Sequence, residues 1–410
     1  MPRAKKQETK KIVKQKNKNA DKAKKKAAPK KAVKNAVKPI KKVVKNTKPA
    51  KKGEPEVKKK RKFKYSLLRG MHDILPKDEK YWSLFNNKAI ELAEQFRFKK
   101  IETPILEEAS LFIRSIGKGT DVVDKEMYVF EDRDKSKLCL RPENTAAIAR
   151  AYVNHGLWNK PQPFKLWYWG QMFRHDRPQA GRYRQFNQFG CEVIGKDDPI
   201  TDAELILVAY NFFNDLSLPV EVHINSIGTL EERDRYKTSL VEYYRSKRSY
   251  LCDDCRKRIN KNTLRLLDCK REQCQPVKEE APQIIEWLED KSKNHLTKVL
   301  EYLDEIEVPY VLDHTLVRGL DYYTQTVFEI YPAGGEEGSQ SALGGGGRYD
   351  LLIEQMGGQP TPATGFALGV ERSISYLRKC CEQGKATMPK KKYDIFLAQL
   401  GEQARRRALK

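Results

Sequence analysis

Three arginines, Arg174, Arg177 and Arg182, fall within one short stretch that also holds His175, Asp176, Pro178 and Gly181. A planar guanidinium binds phosphate oxygens in pairs, so such a turn beside rigid strands suits a nucleoside triphosphate. A solvated basic surface loop has the same composition. Further on, Gln188 and Glu192 share one parity with Gly190 between them. In a strand they would line a single face, an amide and a carboxylate on a floor that glycine leaves open. Arg318 and Asp321, followed by Tyr322 and Tyr323, supply a cation, an anion and two phenols within six positions. They could stabilise charge near a reacting group or form a structural pair among core tyrosines. Cys252-x2-Cys255 and Cys269-x4-Cys274 are separated by thirteen residues. Four thiolates at that spacing could hold a structural Zn²⁺, although cytosolic cysteines also serve as plain packing.

Elements that could position these groups are visible in the patterning. Phe164 to Phe173 and Arg184 to Ile194 mix aromatic and aliphatic residues as strands do, so the arginine turn reads as the tip of a hairpin. Leu138 to Leu140 reads as a strand, Pro142 as a loop, and Asn144 or Thr145 as the cap of a following helix. Trp82, Phe85, Ala89, Leu92 and Phe96 recur at helical spacing and predict a helix from about Lys77 to Arg97, with a strand after it from Lys99 to Pro104. Gly117 to Thr120 lacks the spacing of a phosphate loop and reads as a turn. Leu343 to Asp350 holds a glycine run suited to close backbone approach, and Gly365 to Arg372 reads as a strand entering a helix. Between Gly228 and about Asp313 charged helical patterns take over, which marks an inserted helical domain.

The charge of the chain is unevenly spread. Residues 1–62 carry 27 Lys and Arg against four acidic residues, a net +23, which leaves +2 for the remainder out of a total of +25. With no aromatic before Phe63, this extension is expected to be disordered, serving as an electrostatic arm for RNA or as a spacer. It has no apolar core of signal-peptide length, and no later stretch reaches membrane-spanning length, so no membrane association is expected. Eight irregularly spaced cysteines point to a reducing, cytoplasmic setting.

The run MFRHDRPQAGRYRQFNQFGCEVIG resembles motif 2 of the class II aminoacyl-tRNA synthetases, and in wording the histidyl-tRNA synthetase family. FRFKKIETPILE resembles motif 1, LVRGLDYYT and GGGRYD resemble the two histidine signatures, and the run ending in Arg372 resembles motif 3. The resemblance covers about Phe63 to Lys392. It implies an α+β catalytic domain over 63–392, built on an antiparallel sheet flanked by helices. The insertion over 228–313 would approach the acceptor arm of tRNA, and 393–410 would begin an anticodon-binding domain that stops short. The expected reaction joins histidine to ATP as histidyl-adenylate, then passes the histidyl group to the 3' end of histidine tRNA, with Mg²⁺ assisting and a homodimer formed through motif 1. A histidine-binding regulatory subunit that charges no tRNA is the alternative.

By the same resemblance Arg174, Arg318 and Arg372 are the catalytic cations, and Asp176, Arg182 and Glu371 join Arg174 and Arg372 in binding ATP. Glu143 and Thr145 would contact the α-ammonium of histidine. Glu192 and Tyr323 would grip the two imidazole nitrogens, with Gln188, Tyr322 and Arg318 completing that pocket. Two departures stand out: Asp176 where the family usually has Glu, and Arg97 where it generally has Gly. The cysteines lie outside these motifs, so their loss is expected to spare adenylation.

Overall fold

The first element follows from its apolar stripe. In α1 (Glu79–Gln95), Phe85, Ala89 and Leu92 are buried, while Trp82 and Phe96 pack beside them partly covered. The helix ends in a Schellman turn, in which the Phe98 amide donates to Ala93 O at 2.7 Å and the Arg97 amide to Glu94 O at 3.1 Å. That turn holds Arg97 at φ 60°. A Cβ in left-handed backbone costs about 1–2 kcal/mol, which is a physical reason for glycine at the matching position of the resembled family. Arg97→Gly should therefore stabilise the chain by roughly 0.5–1 kcal/mol after allowance for the looser unfolded state, read as a higher urea midpoint. A lower midpoint would mean that the arginine side chain contributes more than the strained backbone loses.

The computed structural model describes residues 65–409 apart from 118, 177–180, 335–341 and 389–394. The expected basic extension lies outside the described residues, as do Arg177 and Pro178 of the arginine turn. After α1 come β1 (Lys99–Lys100), β2 (Leu106–Glu108), α2 (Ala109–Ile116), β3 (Tyr128–Glu131), β4 (Lys137–Leu140) and α3 (Thr145–Asn154). The strand expected over 99–104 is thus two residues long, followed by one further bond from the Ile101 amide to Trp167 O at 2.9 Å. The hairpin is as expected, β5 (Phe164–Phe173) and β6 (Gln185–Ile194), paired antiparallel from Phe164 opposite Ile194 to Phe173 opposite Gln185. Then follow α4 (Pro199–Asn214), β7 (Val220–Ser226), α5 (Leu230–Ser246), α6 (Asp253–Arg258), α7 (Gln275–Glu279), α8 (Asp290–Glu305) and β8 (Tyr310–Leu312). The series continues with β9 (Thr324–Pro332), β10 (Gly344–Arg348), α9 (Leu352–Gln355), β11 (Ala363–Gly369), α10 (Val370–Glu382) and α11 (Gly401–Ala408).

Eight strands form one sheet in the order β1-β5-β6-β11-β10-β9-β7-β8, antiparallel except for the parallel pairs at its two edges. A smaller antiparallel sheet, β2-β4-β3, stands apart. Strand alternation sends Phe189, Cys191 and Val193 of β6 into a core with α1, α4, α8 and α10 on one face. The opposite face carries Gln188 and Glu192 and meets a second apolar cluster with α2, α3 and α5.

Two boundaries differ from expectation. The helical insertion does not stay separate to residue 313, because α8 buries Leu296, Val299 and Leu303 in the core shared with α4, and β8 pairs with β7. Near the other end, where an anticodon-binding domain was expected to begin, residues 395–400 form no strand ladder, and Ile395, Phe396 and Leu400 are exposed, before α11 begins. No helix among the described residues is long and apolar enough to cross a membrane.

A buried ion network locks these layers together. Arg348 at the end of β10 has no exposed surface, and it pairs with Asp202 of α4 at 3.1 Å, Asp350 at 3.0 Å and Asp197 at 3.4 Å. Asp202 also meets His295 of α8 at 2.8 Å. Burial alone would raise the Asp202 carboxyl, but Arg348 and His295 outweigh it and hold the group below its ordinary value.

Candidate functional site

On the sheet face away from α1 and α4 lies a cavity of about 560 Å³, within the range that holds small-molecule ligands. All the expected ATP-binding residues line it, as do the expected histidine-binding residues apart from Glu192. The four cysteines do not.

One end is cationic. Arg174 leaves β5 and donates Nε to Pro142 O at 2.8 Å, with its guanidinium over the Phe186 ring at 5.4 Å. Arg182 pairs with Asp176 at 2.7 Å. Arg372, at the start of α10, donates Nη1 to Ala342 O at 2.7 Å. Burial, then repulsion from Arg182 and Arg174, pushes the Arg372 guanidinium down to about 10. Cations packed closely enough to destabilise one another are relieved by a polyanion, which is what a triphosphate offers. Glu371 lines the cavity and is also held within the fold. Its two oxygens both accept the Asn187 amide at 2.9 Å, and Asn187 Nδ2 adds a bond at 3.1 Å, so the carboxyl mainly ties α10 to β6.

Arg318 occupies a second position, fixed by glycine. Gly345 of β10 stands opposite Glu329 of β9, and a Cβ on Gly345 would lie 2.9 Å from Arg318 Nη1. Side chains in that row would exclude the arginine, so the glycine run is a central strand rather than a mobile loop. Arg318 Nη1 pairs with Glu329 Oε1, and the Tyr331 hydroxyl donates to Glu329 Oε2. Burial opposes the Arg318 charge, yet Tyr323 and Glu329 outweigh it and hold the group above its ordinary range. Glu329 and Tyr331 line the cavity and were not anticipated; their signal was alternation along β9, with Phe328 and Ile330 turned to the other core.

The neutral end is built on β6, α3 and β10. Glu143 accepts the Thr145 amide at 2.6 Å and the Ala146 amide at 3.1 Å, so it caps α3 in place of Asn144. Asn144 Oδ1 instead receives Thr103 Oγ1 at 2.7 Å and Arg141 Nη1 at 3.1 Å. Glu192 lies beneath the cavity wall, fully buried, accepting the Thr145 hydroxyl at 2.8 Å and the Tyr349 hydroxyl at 2.6 Å. It has room because Gly365 of β11, directly opposite in the ladder, has no Cβ to collide with its Oε2. Gly365 thus accommodates a carboxyl. Gly190 likewise does not leave an open floor. Tyr168 faces it across the hairpin, and a Cβ there would strike the phenol ring. Neither Tyr168 nor Tyr349 was anticipated, although Tyr168 opposite Gly190 is a readable cross-strand signal. Tyr168 Oη, Gln188 Oε1, Arg318 Nε and Arg182 Nε are buried without a hydrogen-bond partner among the described residues, and all four residues line the cavity. Buried polar atoms left this way are suited to a ligand.

Burial pushes the Glu192 carboxyl up to about 8, against the partial relief of its two hydroxyl bonds. The folded chain then keeps a proton that the unfolded chain releases near 4.5, so stability falls as pH climbs between those values and levels off above. Glu192→Gln should flatten this decline in melting temperature, though not abolish it, because burial also raises Glu143, Glu371 and Asp350. An unchanged profile would mean that Glu192 is already ionised at neutral pH.

The cysteines converge away from the cavity. All four Sγ atoms lie within 4.8 Å of one another, and Cys252 and Cys269 are 3.9 Å apart. Tetrahedral Zn²⁺ with sulfur at about 2.3 Å places its ligands about 3.8 Å apart, so the set fits a metal with little movement. The Cys252 amide donates to Cys274 Sγ at 3.2 Å, and hydrogen bonding from Cys255 favours the thiolate of Cys269.

A family model described as histidyl-tRNA synthetase matches residues 70–372. The chain belongs to the histidyl-tRNA synthetase family. It is similar to a histidine-tRNA ligase of Dehalococcoides mccartyi, 49% identical over 341 residues, covering 83% of this chain and 80% of that one. Among solved structures it is similar to apo S. aureus histidyl-tRNA synthetase, with TM-score 0.66 and 36% identity over 84% of this chain and 81% of the other. A Bacillus halodurans protein titled ATP phosphoribosyltransferase regulatory subunit/histidyl-tRNA synthetase is more distant, with TM-score 0.57 and 26% identity over 77% of this chain and 84% of that one. The α+β fold of this family, with its large antiparallel sheet flanked by helices, is the one described above.

Proposed function

We propose that this member of the histidyl-tRNA synthetase family activates histidine with ATP and transfers it to the 3' end of histidine tRNA. The observation that carries the reading is a single cavity joining a cluster of mutually repelling arginines to a neutral pocket rich in hydroxyls. In the first step a carboxylate oxygen of histidine attacks the α-phosphorus of ATP, the bond to the β-phosphate oxygen breaks, and pyrophosphate leaves. Geometry and charge are enough for this in-line displacement, and no side-chain nucleophile is required. Arg174, Arg182 and Arg372 hold the phosphates, with Asp176 kept near the base by Arg182. Arg318 neutralises charge at the α-phosphate.

Glu143 and Gln188 receive the α-ammonium. Thr145, Tyr168, Tyr322, Tyr323 and Tyr349 surround the imidazole, which offers one donor and one acceptor when neutral. Glu192 acts behind them by orienting the Thr145 and Tyr349 hydroxyls. Mg²⁺, typical of class II synthetases, would enter with the phosphates, and Glu126 and Glu329 line the cavity where its water shell could be bonded. The four-cysteine set takes a structural Zn²⁺, and eight cysteines with no disulfide among them suit a reducing cytosol.

A homodimer is supported by the small sheet, where Leu106 and Phe130 are exposed apolar residues on one face, suited to a second copy. The exposed Ile395, Phe396 and Leu400 suit the opening of an anticodon-binding domain. The deciding assay is histidine-dependent exchange of pyrophosphate into ATP, followed by charging of histidine tRNA. Exchange without charging would leave activation alone; absence of both would favour a regulatory histidine binder.

A further inference from the structure

Between Cys255 and Cys269 the chain forms only the end of α6 and one 3-10 turn, Thr263–Leu266. No strand ladder holds this segment among the described residues. It is attached through the sulfur cluster and through Ile259, Leu266 and Leu267, which join the same apolar cluster as Leu316, Val317 and Tyr323. Yet Arg258, Arg265, Leu267 and Asp268 from this segment line the substrate cavity.

Arg265 is the link to the reacting region. Its Nη2 lies 3.3 Å from where a Cβ on Gly319 would stand, so it packs against the residue that follows Arg318. Its Nη1 pairs with Asp268 at 3.2 Å, and its Nη2 lies 3.8 Å from Asp121, which Arg258 also approaches at 3.4 Å. Asp121 leads into the turn Val122–Glu126, whose first and last residues line the cavity. One ion cluster therefore ties the cysteine segment both to the loop of Arg318 and to a second part of the wall. Part-exposed ion pairs of this kind contribute little alone, whereas metal-thiolate bonds fix a segment firmly.

We propose that a metal held by Cys252, Cys255, Cys269 and Cys274 sets the cavity wall beside Arg318, so that adenylate formation depends on a metal that touches no substrate. The inference rests on the structural-zinc reading above, and it reverses the expectation that the cysteines are irrelevant to adenylation. The four sulfurs fix the ends of the segment, the segment fixes Arg265, and Arg265 packs on Gly319 and holds Asp121. Loss of the metal frees the wall and lets Arg318 stray from the α-phosphate.

The test uses the full chain, purified without chelator. Zinc is measured by elemental analysis, and pyrophosphate exchange is followed before and after a zinc chelator, with return to Mg²⁺ buffer and then with Zn²⁺ restored. One zinc per chain is expected, with an exchange loss of about 100-fold on removal and recovery on restoration, as for a displacement of about 1 Å at a reacting centre. Co²⁺ in place of Zn²⁺ should give the thiolate absorption of a tetrahedral sulfur site, a readout independent of activity. Arg265→Ala should keep the zinc and still lose exchange. A chain that binds no stoichiometric metal overturns the metal reading and the inference with it. Zinc removed with exchange unchanged overturns the coupling alone, and Arg265→Ala with full exchange removes the proposed link. A zinc-loaded chain with no exchange at all would count against the enzyme reading instead.

Discussion

Arg318→Ala should lower histidine-dependent pyrophosphate exchange by about 10²–10³-fold, the loss expected when a preorganised charge is removed from a transition state. The effect should fall on kcat more than on KM for ATP, because Arg174, Arg182 and Arg372 remain to bind the phosphates. Removing the guanidinium also leaves Glu329 with only Tyr331, so a stability loss on the order of 1–3 kcal/mol accompanies it. The double variant Arg318→Ala, Glu329→Gln separates the two effects. It should recover stability and leave exchange as low as in the single variant. Recovery of exchange along with stability would reduce Arg318 to a structural member of an ion pair.

The largest stability change is expected at Arg348, which lies on the far side of β10 from substrate chemistry. Arg348→Met should destabilise the fold by about 3–5 kcal/mol, since it leaves the buried Asp202 with His295 alone and takes the cation from the half-buried Asp350. Urea unfolding measures it. Pairing the change with Asp202→Leu should restore part of the loss, because a buried ion pair replaced by apolar groups costs far less than one that is halved. If the single variant unfolds at the same urea concentration as the parent chain, the network is satisfied by water and contributes nothing to stability.

Local features of the sequence were readable to different depths. The hairpin limits followed from aromatic and aliphatic mixing, and α1 from its stripe, because both depend on neighbours within a few residues. The arginine-rich turn was readable as a candidate anion site for the same reason. What each glycine faces was not readable, because that depends on the register of strands distant in sequence. Gly365 accommodates Glu192 only because β11 pairs with β6 in one particular alignment, and Gly345 admits Arg318 only because it lies opposite Glu329. Glu192, expected from the resemblance to contact the ligand, lies beneath the cavity wall with its oxygens on the Thr145 and Tyr349 hydroxyls, an arrangement that depends on this register. The insertion was drawn too long for a related reason: the charged surface of α8 masks an apolar side that α4 covers. Tyr168 was overlooked because an aromatic residue in a strand reads as core, and Tyr349 because it follows directly on a strand.

The strand order also sets when the protein can begin to work during its synthesis. β6 lies between β5, its immediate neighbour in sequence, and β11, and Glu371 just beyond β11 bonds to Asn187 at a separation of 184 residues. A ribosome thus releases the motif 2 hairpin long before the strand that completes it. Until β11 emerges, β6 has an unpaired edge, Glu192 lacks Gly365 on that side and Arg372 is still missing from the phosphate end. Such an exposed edge invites pairing with another chain, and contacts this distant form slowly. Substrate capture is thus a late event in the life of the nascent chain, and ATP or histidine binding reports on completion of the sheet rather than on formation of the hairpin.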